Sequence, residues 1–248
     1  MSPSPILVEI CVDDIAGVNA AKAGGADRIE LCGALALGGL TPSAALVAHA
    51  VASGLPVHAM VRPVQGGFVY DAETLALMID EIARLRTLGV AGVVLGATRP
   101  DGTLHRDALA RLRDAATGLQ LVLHRAIDLA PDPIAAIACA VSVGCDHVLS
   151  SGGAPTAPEG AAMLAAMVAE ARGRLSVIAG AGVRPDNVAA LIVATGVGAV
   201  HSSAAESSTW QDPRIAALGF ATGPRRITRA TIVRSLVDAT RLLPNDAK

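Results

Sequence analysis

Short aliphatic runs alternate with helix-patterned segments along the whole chain. The runs predict strands at 6–11, 28–32, 57–62, 92–96, 119–125, 147–151, 175–179 and 199–203. They are nearly continuous in Val, Ile, Leu and Ala rather than alternating with polar residues, which marks strands covered on both faces. Between them, helices are predicted at 14–23, 42–52, 72–87, 106–116, 133–143, 158–171 and 185–194, with a last one at 228–242. Thr41-Pro42 and Asp132-Pro133 read as a capping side chain followed by proline at the first helical position. Gly24, Gly54, Gly89, Gly144, Gly173 and Gly196 fall where helices should end in a left-handed residue. Eight strand–helix units with no linker between them predict an α/β fold of one domain over residues 1–248, a closed parallel (β/α)8 TIM barrel. The one long irregular stretch, 204–227, lies before the last helix and reads as a lid or an oligomer contact.

Composition agrees with that architecture. The chain is 52% hydrophobic but only 2% aromatic, so its core must be built from aliphatic side chains rather than rings. A formal net charge of −2, with no basic stripe, argues against nucleic acid or an anionic membrane as the main partner. No apolar run reaches the roughly 20 residues of a membrane span. The opening MSPSPILVEIC lacks the basic and long apolar parts of a secretory leader. Cys11, Cys32, Cys139 and Cys145 show neither CxxC nor disulfide-framework spacing. A cytoplasmic protein with free thiols is expected.

Polar residues gather where the predicted strands end, and that face of such a barrel is where working sites lie. Glu9 falls on the first strand, Arg28 and Glu30 on the second, and His58, Met60 and Arg62 on the third. His124-Arg125 close the fifth, with Asp128 just beyond, and Ser150-Ser151 the sixth. His201-Ser202-Ser203 close the eighth. Buried charges are costly unless paired, so structural salt bridges at the barrel end are one reading. The other is a site for a small anionic or polyhydroxylated ligand. Its candidate acid–base residues are Glu9, Glu30, His124 and His201, with Asp128 orienting His124. Its candidate anion ligands are Arg28, Arg62, Arg125 and Ser151.

The loop Gly180-Ala181-Gly182-Val183-Arg184-Pro185 runs from the seventh strand into a helix. With Ser202 and Ser203 it forms a candidate phosphate cradle; the plain alternative is a tight turn. Only Lys22 and Lys248 are lysines, one on an outer helix and one at the C-terminus, which excludes a Schiff-base lysine inside the barrel. Cys11 and Cys32 hold matching places on adjacent strands and are candidate ligands for a soft metal ion. As small buried hydrophobes they have an equally ordinary explanation.

Taken in order, these strand-end motifs resemble the CutC family. The resemblance runs through Gly24-Gly25-Ala26-Asp27-Arg28-Ile29-Glu30-Leu31-Cys32, Gly38-Gly39-Leu40-Thr41-Pro42-Ser43 and Arg62-Pro63 with Gly66-Gly67-Phe68-Val69-Tyr70. It continues through His124-Arg125-Ala126-Ile127-Asp128, Ser150-Ser151-Gly152-Gly153, Gly180-Ala181-Gly182-Val183 and His201-Ser202-Ser203-Ala204. It implies a cytoplasmic barrel that forms homo-oligomers, dimers or tetramers, with a role in copper homeostasis and Cu(I) bound by cysteines matching Cys11 and Cys32. Many relatives carry cysteine at the positions of Gly153 and Ser202, and a second arginine after the proline that follows Arg62. The resemblance therefore leaves only the Cys11–Cys32 pair as the copper site. Two functions follow as expectations: a Cu(I)-binding homeostasis protein, or a barrel enzyme acting on a small anionic or sugar-phosphate-like substrate.

Overall fold

The computed structural model describes residues 6–221 and 223–243. Lys248 and the first five residues of the opening segment lie outside that range. Eight parallel strands close a barrel in chain order: β1 (Leu7–Val12), β2 (Arg28–Leu31), β3 (Val57–Met60), β4 (Gly92–Leu95), β5 (Gln120–Leu123), β6 (His147–Ser150), β7 (Ser176–Ala179) and β8 (Ala199–Ser202). β1 pairs with both β2 and β8, which leaves the barrel sheet without an edge. Helices α1 (Ile15–Gly24), α2 (Ala44–Ala52), α3 (Ala72–Thr87), α4 (Arg106–Ala115), α5 (Pro133–Val143), α6 (Ala161–Ala171) and α7 (Val188–Thr195) follow the strands in turn.

Side chains of one parity in each strand face these helices. Val8, Ile10 and Val12 of β1, Ile29 and Leu31 of β2, and Val93 and Leu95 of β4 are buried in that outer core. The other parity faces the bore. There Met60, Val94, Val122, Leu149, Ile178 and Ala199 form a second apolar cluster with Cys32. At about 25 cal/mol per Å² of apolar surface buried, these two clusters are the main source of stability. Around β1, β2 and β8 the same parity carries Glu9, Cys11, Arg28, Glu30 and His201 instead. Most of the ionisable side chains of the bore thus come from β1, β2 and β8.

Local chemistry explains most helix boundaries. Asp14, Asp71 and Asp132 accept backbone N–H bonds at the starts of α1, α3 and α5. At α2 the cap is Ser43 rather than Thr41. Thr41 Oγ1 is already committed, donating to Glu81 at 2.8 Å and accepting from the Arg62 amide at 3.0 Å. Gly25, not Gly24, takes the left-handed position after α1. Lys22 lies on α1 and bonds the Ser53 carbonyl at 2.6 Å, outside the bore.

The stretch 204–227 is more ordered than its sequence suggests. It holds β9 (Ala205–Ser208) and the short α8 (Arg214–Ala217), and most of β10 (Arg225–Thr228), which pairs antiparallel with β9. The ribbon is tied down by Thr228 Oγ1 to the Ser203 carbonyl at 3.0 Å and by Arg229 Nε to Glu206 at 2.6 Å. Neither AESS nor RRIT has an apolar face, so periodicity could not find them. The last helix, α9 (Ala230–Arg241), packs on α1 and closes the outer ring.

Candidate functional site

Register decides which polar groups meet. In the ladder Glu9 sits opposite Arg28 on one side and His201 on the other, and Cys11 sits opposite Glu30. The Glu9 carboxylate accepts from Arg28 Nε at 2.5 Å and faces His201 Nδ1 at 2.7 Å. Burial alone would raise the Glu9 pKa. The His201 hydrogen bond and the Arg28 charge outweigh it and hold the carboxyl well below the usual range. Glu9 is therefore a fixed anion whose two oxygens are both engaged. It is the third residue of a six-residue strand, and Arg28 is the first residue of β2. Both lie inside the bore rather than at the C-terminal strand ends, and Arg28 Nε is committed to Glu9 while its Nη2 is buried without a partner.

His201, with Nδ1 held by Glu9, turns Nε2 toward Glu30 at 3.8 Å. One ligand atom each from Cys11, Glu30 and His201 lie within 4.8 Å of one another. Burial would lower the His201 pKa, but Cys11, Glu30 and Glu9 around it raise it well above the ordinary value. Burial raises that of Glu30, with His201 opposing and Glu9 adding to it. Cys32 does not join this set. Its thiol donates to Glu30 at 3.6 Å, it is 1% exposed, and it belongs to the apolar cluster with Met60. Burial, then the nearby Glu30, pushes its pKa well up. The pairing expected of Cys11 with Cys32 is therefore replaced by Cys11 with Glu30 and His201, because the parallel ladder puts Glu30 beside Cys11 and Cys32 two residues further on.

Across the mouth the expected contact between Asp128 and His124 is absent. Asp128 is the internal anion of the loop after β6. It accepts from Arg125 Nε at 2.7 Å, Ser150 Oγ at 2.5 Å, the Ser151 amide at 3.2 Å and the Gly153 amide at 3.2 Å. Ser151 Oγ lies 3.0 Å from the same carboxylate and accepts from Arg125 Nη2 at 2.8 Å, so neither its hydroxyl nor Asp128 is free for a ligand. His124 instead accepts the Ala126 amide on Nδ1 at 3.1 Å and packs on Phe68. A Cβ on Gly96 would come within 2.5 Å of the His124 ring, so glycine there is what gives the imidazole its place. Arg62, buried, donates to the carbonyls of Leu37, Gly39 and Gly66.

The seventh and eighth loops separate the predicted cradle. Gly180 is buried, its Cα face against Leu149 and His201. Gly182, Ser202 and Ser203 line an open cleft of about 740 Å³ together with Cys11 and His201. Ser202 Oγ is used within the chain, donating to the Val183 carbonyl at 2.8 Å, whereas Ser203 Oγ faces Arg226 at 3.3 Å. Arg125, Arg184 and Arg226 also line this cleft.

Two interior histidines, His58 and His147, receive no role from the sequence. His58 Nε2 lies 2.9 Å from Gln120 Oε1 with Nδ1 3.8 Å from Glu9, and His147 Nε2 lies 3.4 Å from Arg28. Burial, then Arg28, lowers the His147 pKa to about 4. Their signal was present: His58 shares parity with Met60 and Arg62, and His147 begins a strand whose alternate residues are apolar.

Fold and site together define a (β/α)8 barrel protein with a thiol–imidazole–carboxylate cluster at the C-terminal mouth. The sequence model of the CutC family matches residues 6–206. A CutC family protein of Sinorhizobium medicae is 46% identical over 231 residues, 93% of this chain and 94% of the relative. The solved CutC structure from Streptococcus agalactiae superposes with a TM-score of 0.76 at 30% identity, over 80% of this chain and 98% of that one. The chain belongs to the CutC family. A thiamine phosphate pyrophosphorylase from Pyrococcus furiosus, at 14% identity and a TM-score of 0.58 over 95% of this chain and 96% of its own, shares the barrel fold alone.

Proposed function

We propose that this chain binds one soft metal ion, Cu(I), through Cys11 Sγ and His201 Nε2, with a Glu30 oxygen as third donor. The observation that carries the reading is the convergence of these three side chains behind a carboxylate that fixes the histidine. A carboxylate on Nδ1 sets the ring tautomer and turns Nε2 outward, as in many metal-binding histidines. Thiolate and imidazole select Cu(I) or zinc over hard cations. The Glu30 oxygen is the harder donor, so zinc is the competitor to measure. The name of the Streptococcus agalactiae relative, which refers to copper homeostasis, supports copper as cargo.

The test is anaerobic Cu(I) competition against a chromogenic chelator, with Zn(II) in parallel. One equivalent should bind, Cys11→Ser and His201→Phe should each weaken binding at least tenfold, and Cys32→Ser should change it little. Equal Cu(I) affinity in wild type and Cys11→Ser would sink the reading.

A cytoplasmic setting and self-association as a dimer or tetramer belong to the same proposal. The four cysteines are free thiols, which suits a reducing compartment, and among the described residues no helix is long and apolar enough to cross a membrane. Leu218 and Phe220, 67% and 78% exposed near the ribbon, support self-association, which light scattering would measure.

A second reading, acid–base chemistry on a small anionic substrate, is favoured by the three arginines that line the cleft with Cys11 and His201. Glu30 and His201 would exchange the protons, since Glu9 has no free oxygen. A metabolite thermal-shift screen separates the two. A saturable anion shift lost in His201→Phe supports the enzyme.

A further inference from the structure

Arg62 is a buried cation without a counter-charge. It is 5% exposed, and among the described residues no carboxylate lies within ion-pair distance of it. Its terminal nitrogens are bonded to carbonyl oxygens only, and Nε has no partner. A guanidinium taken out of water with neutral acceptors alone leaves most of its charge uncompensated.

His124 presents a second orphan. Its Nδ1 accepts the Ala126 N–H at 3.1 Å, so that nitrogen carries no proton. Burial lowers its pKa to about 4, so the ring is neutral near pH 7 and its single proton sits on Nε2. That Nε2–H is buried without an acceptor. Both groups neighbour the Phe68 ring, whose centroid is 4.6 Å from the His124 ring and 5.2 Å from Arg62 Cζ. The buried Tyr70 hydroxyl, a neutral group, lies next to Arg62.

Buried donors are nearly always satisfied in folded proteins, and an unpaired cation next to a donor-only imidazole calls for an anion. We infer that Arg62 Nε and His124 Nε2 form an oxyanion-binding subsite that takes a carboxylate or phosphate group of a small ligand. By strand order it stands at the ends of β3 and β5; β3 adjoins β2, which carries Glu30, and β5 lies opposite β1, which carries Cys11. It depends on neither metal binding nor the cleft arginines. The loop that accepts from Arg62 through the Gly66 carbonyl, residues 64–67, is exposed.

The test is calorimetric titration of the metal-free full chain with inorganic phosphate and with malonate at constant ionic strength, chloride being the reference anion. One of the two should bind at one saturable site, and which one does assigns the group. His124→Asn keeps an acceptor for the Ala126 amide in its Oδ1 but removes the donor; it should weaken that binding about tenfold or more. His124→Gln restores a donor near the Nε2 position and should recover part of the loss. Arg62→Lys, which keeps charge without the fork, should also weaken binding, and thermal denaturation reports whether that variant still folds. Cys11→Ser, which removes the proposed metal ligand, should bind the anion as wild type does, so the two proposals fail separately. No saturable binding of either anion, or unchanged binding in His124→Asn, would overturn the subsite.

Discussion

Glu9 carries more of the site than any other single side chain, because two buried cationic or protonatable groups depend on it. Replacing it by glutamine leaves Arg28 buried without its counter-charge and frees His201 to choose its tautomer. Glu9→Gln is expected to lower stability by about 3–5 kcal/mol, the usual result of breaking a buried pair, measured by denaturant titration. If the proposed metal site is correct, metal affinity of what remains folded should fall roughly 10–100-fold. At this scale the sequence was a fair guide to residue type and a poor guide to partner. Asp128 stands four residues from His124, close enough to suggest a dyad. Its carboxylate instead meets Ser150, Ser151 and Arg125, because the 3₁₀ turn Arg125–Leu129 carries it toward β6.

Strands and loops set the next scale. Inward glycines on β4 and just beyond it decide where the histidine rings can lie. A Cβ on Gly92 would sit 2.8 Å from both the Gln120 carbonyl and the His58 ring, and one on Gly96 would press on His124. Gly96→Ala is expected to cost about 1–3 kcal/mol by overpacking and to displace the imidazole, read as a lowered denaturation midpoint. If the proposed oxyanion subsite is correct, the same change should also weaken phosphate or malonate binding. None of this is visible in the string GVVLG. A glycine facing the bore and one in a plain turn look alike until the opposite strand is in place. The β9–β10 ribbon escaped for a related reason. Its strands are polar on both faces and held by backbone pairing and Arg–Glu contacts rather than by a buried apolar stripe.

For the whole molecule the consequence is a pH dependence written into the bore. His124 and His147 have folded pKa values of about 4 against an ordinary 6.5. Between those values the unfolded chain binds protons that the folded chain refuses, so stability falls as pH drops from 6.5 toward 4. Glu9, held below the usual carboxylate range, adds a loss at still lower pH. Glu30, whose pKa is raised, works in the opposite sense. The His124 contribution is isolated by comparison. Stability should rise with pH more steeply in wild type than in His124→Asn over this interval, followed by urea titration at a series of pH values. Equal slopes would mean that His124 takes up protons in the folded protein as readily as in the unfolded chain.

The sequence by itself determined the architecture, since the spacing of aliphatic runs, capping residues and terminal glycines is local information and each unit could be read alone. It also determined which residue types face the bore, because strand parity is fixed within a strand. Partnership was decided only by the tertiary structure. Strand stagger set Cys11 beside Glu30 and His201 rather than beside Cys32, and closure brought β8 against β1 across 192 residues of chain to join His201 to Glu9. Register and closure are properties of the complete ladder, and no single segment contains them.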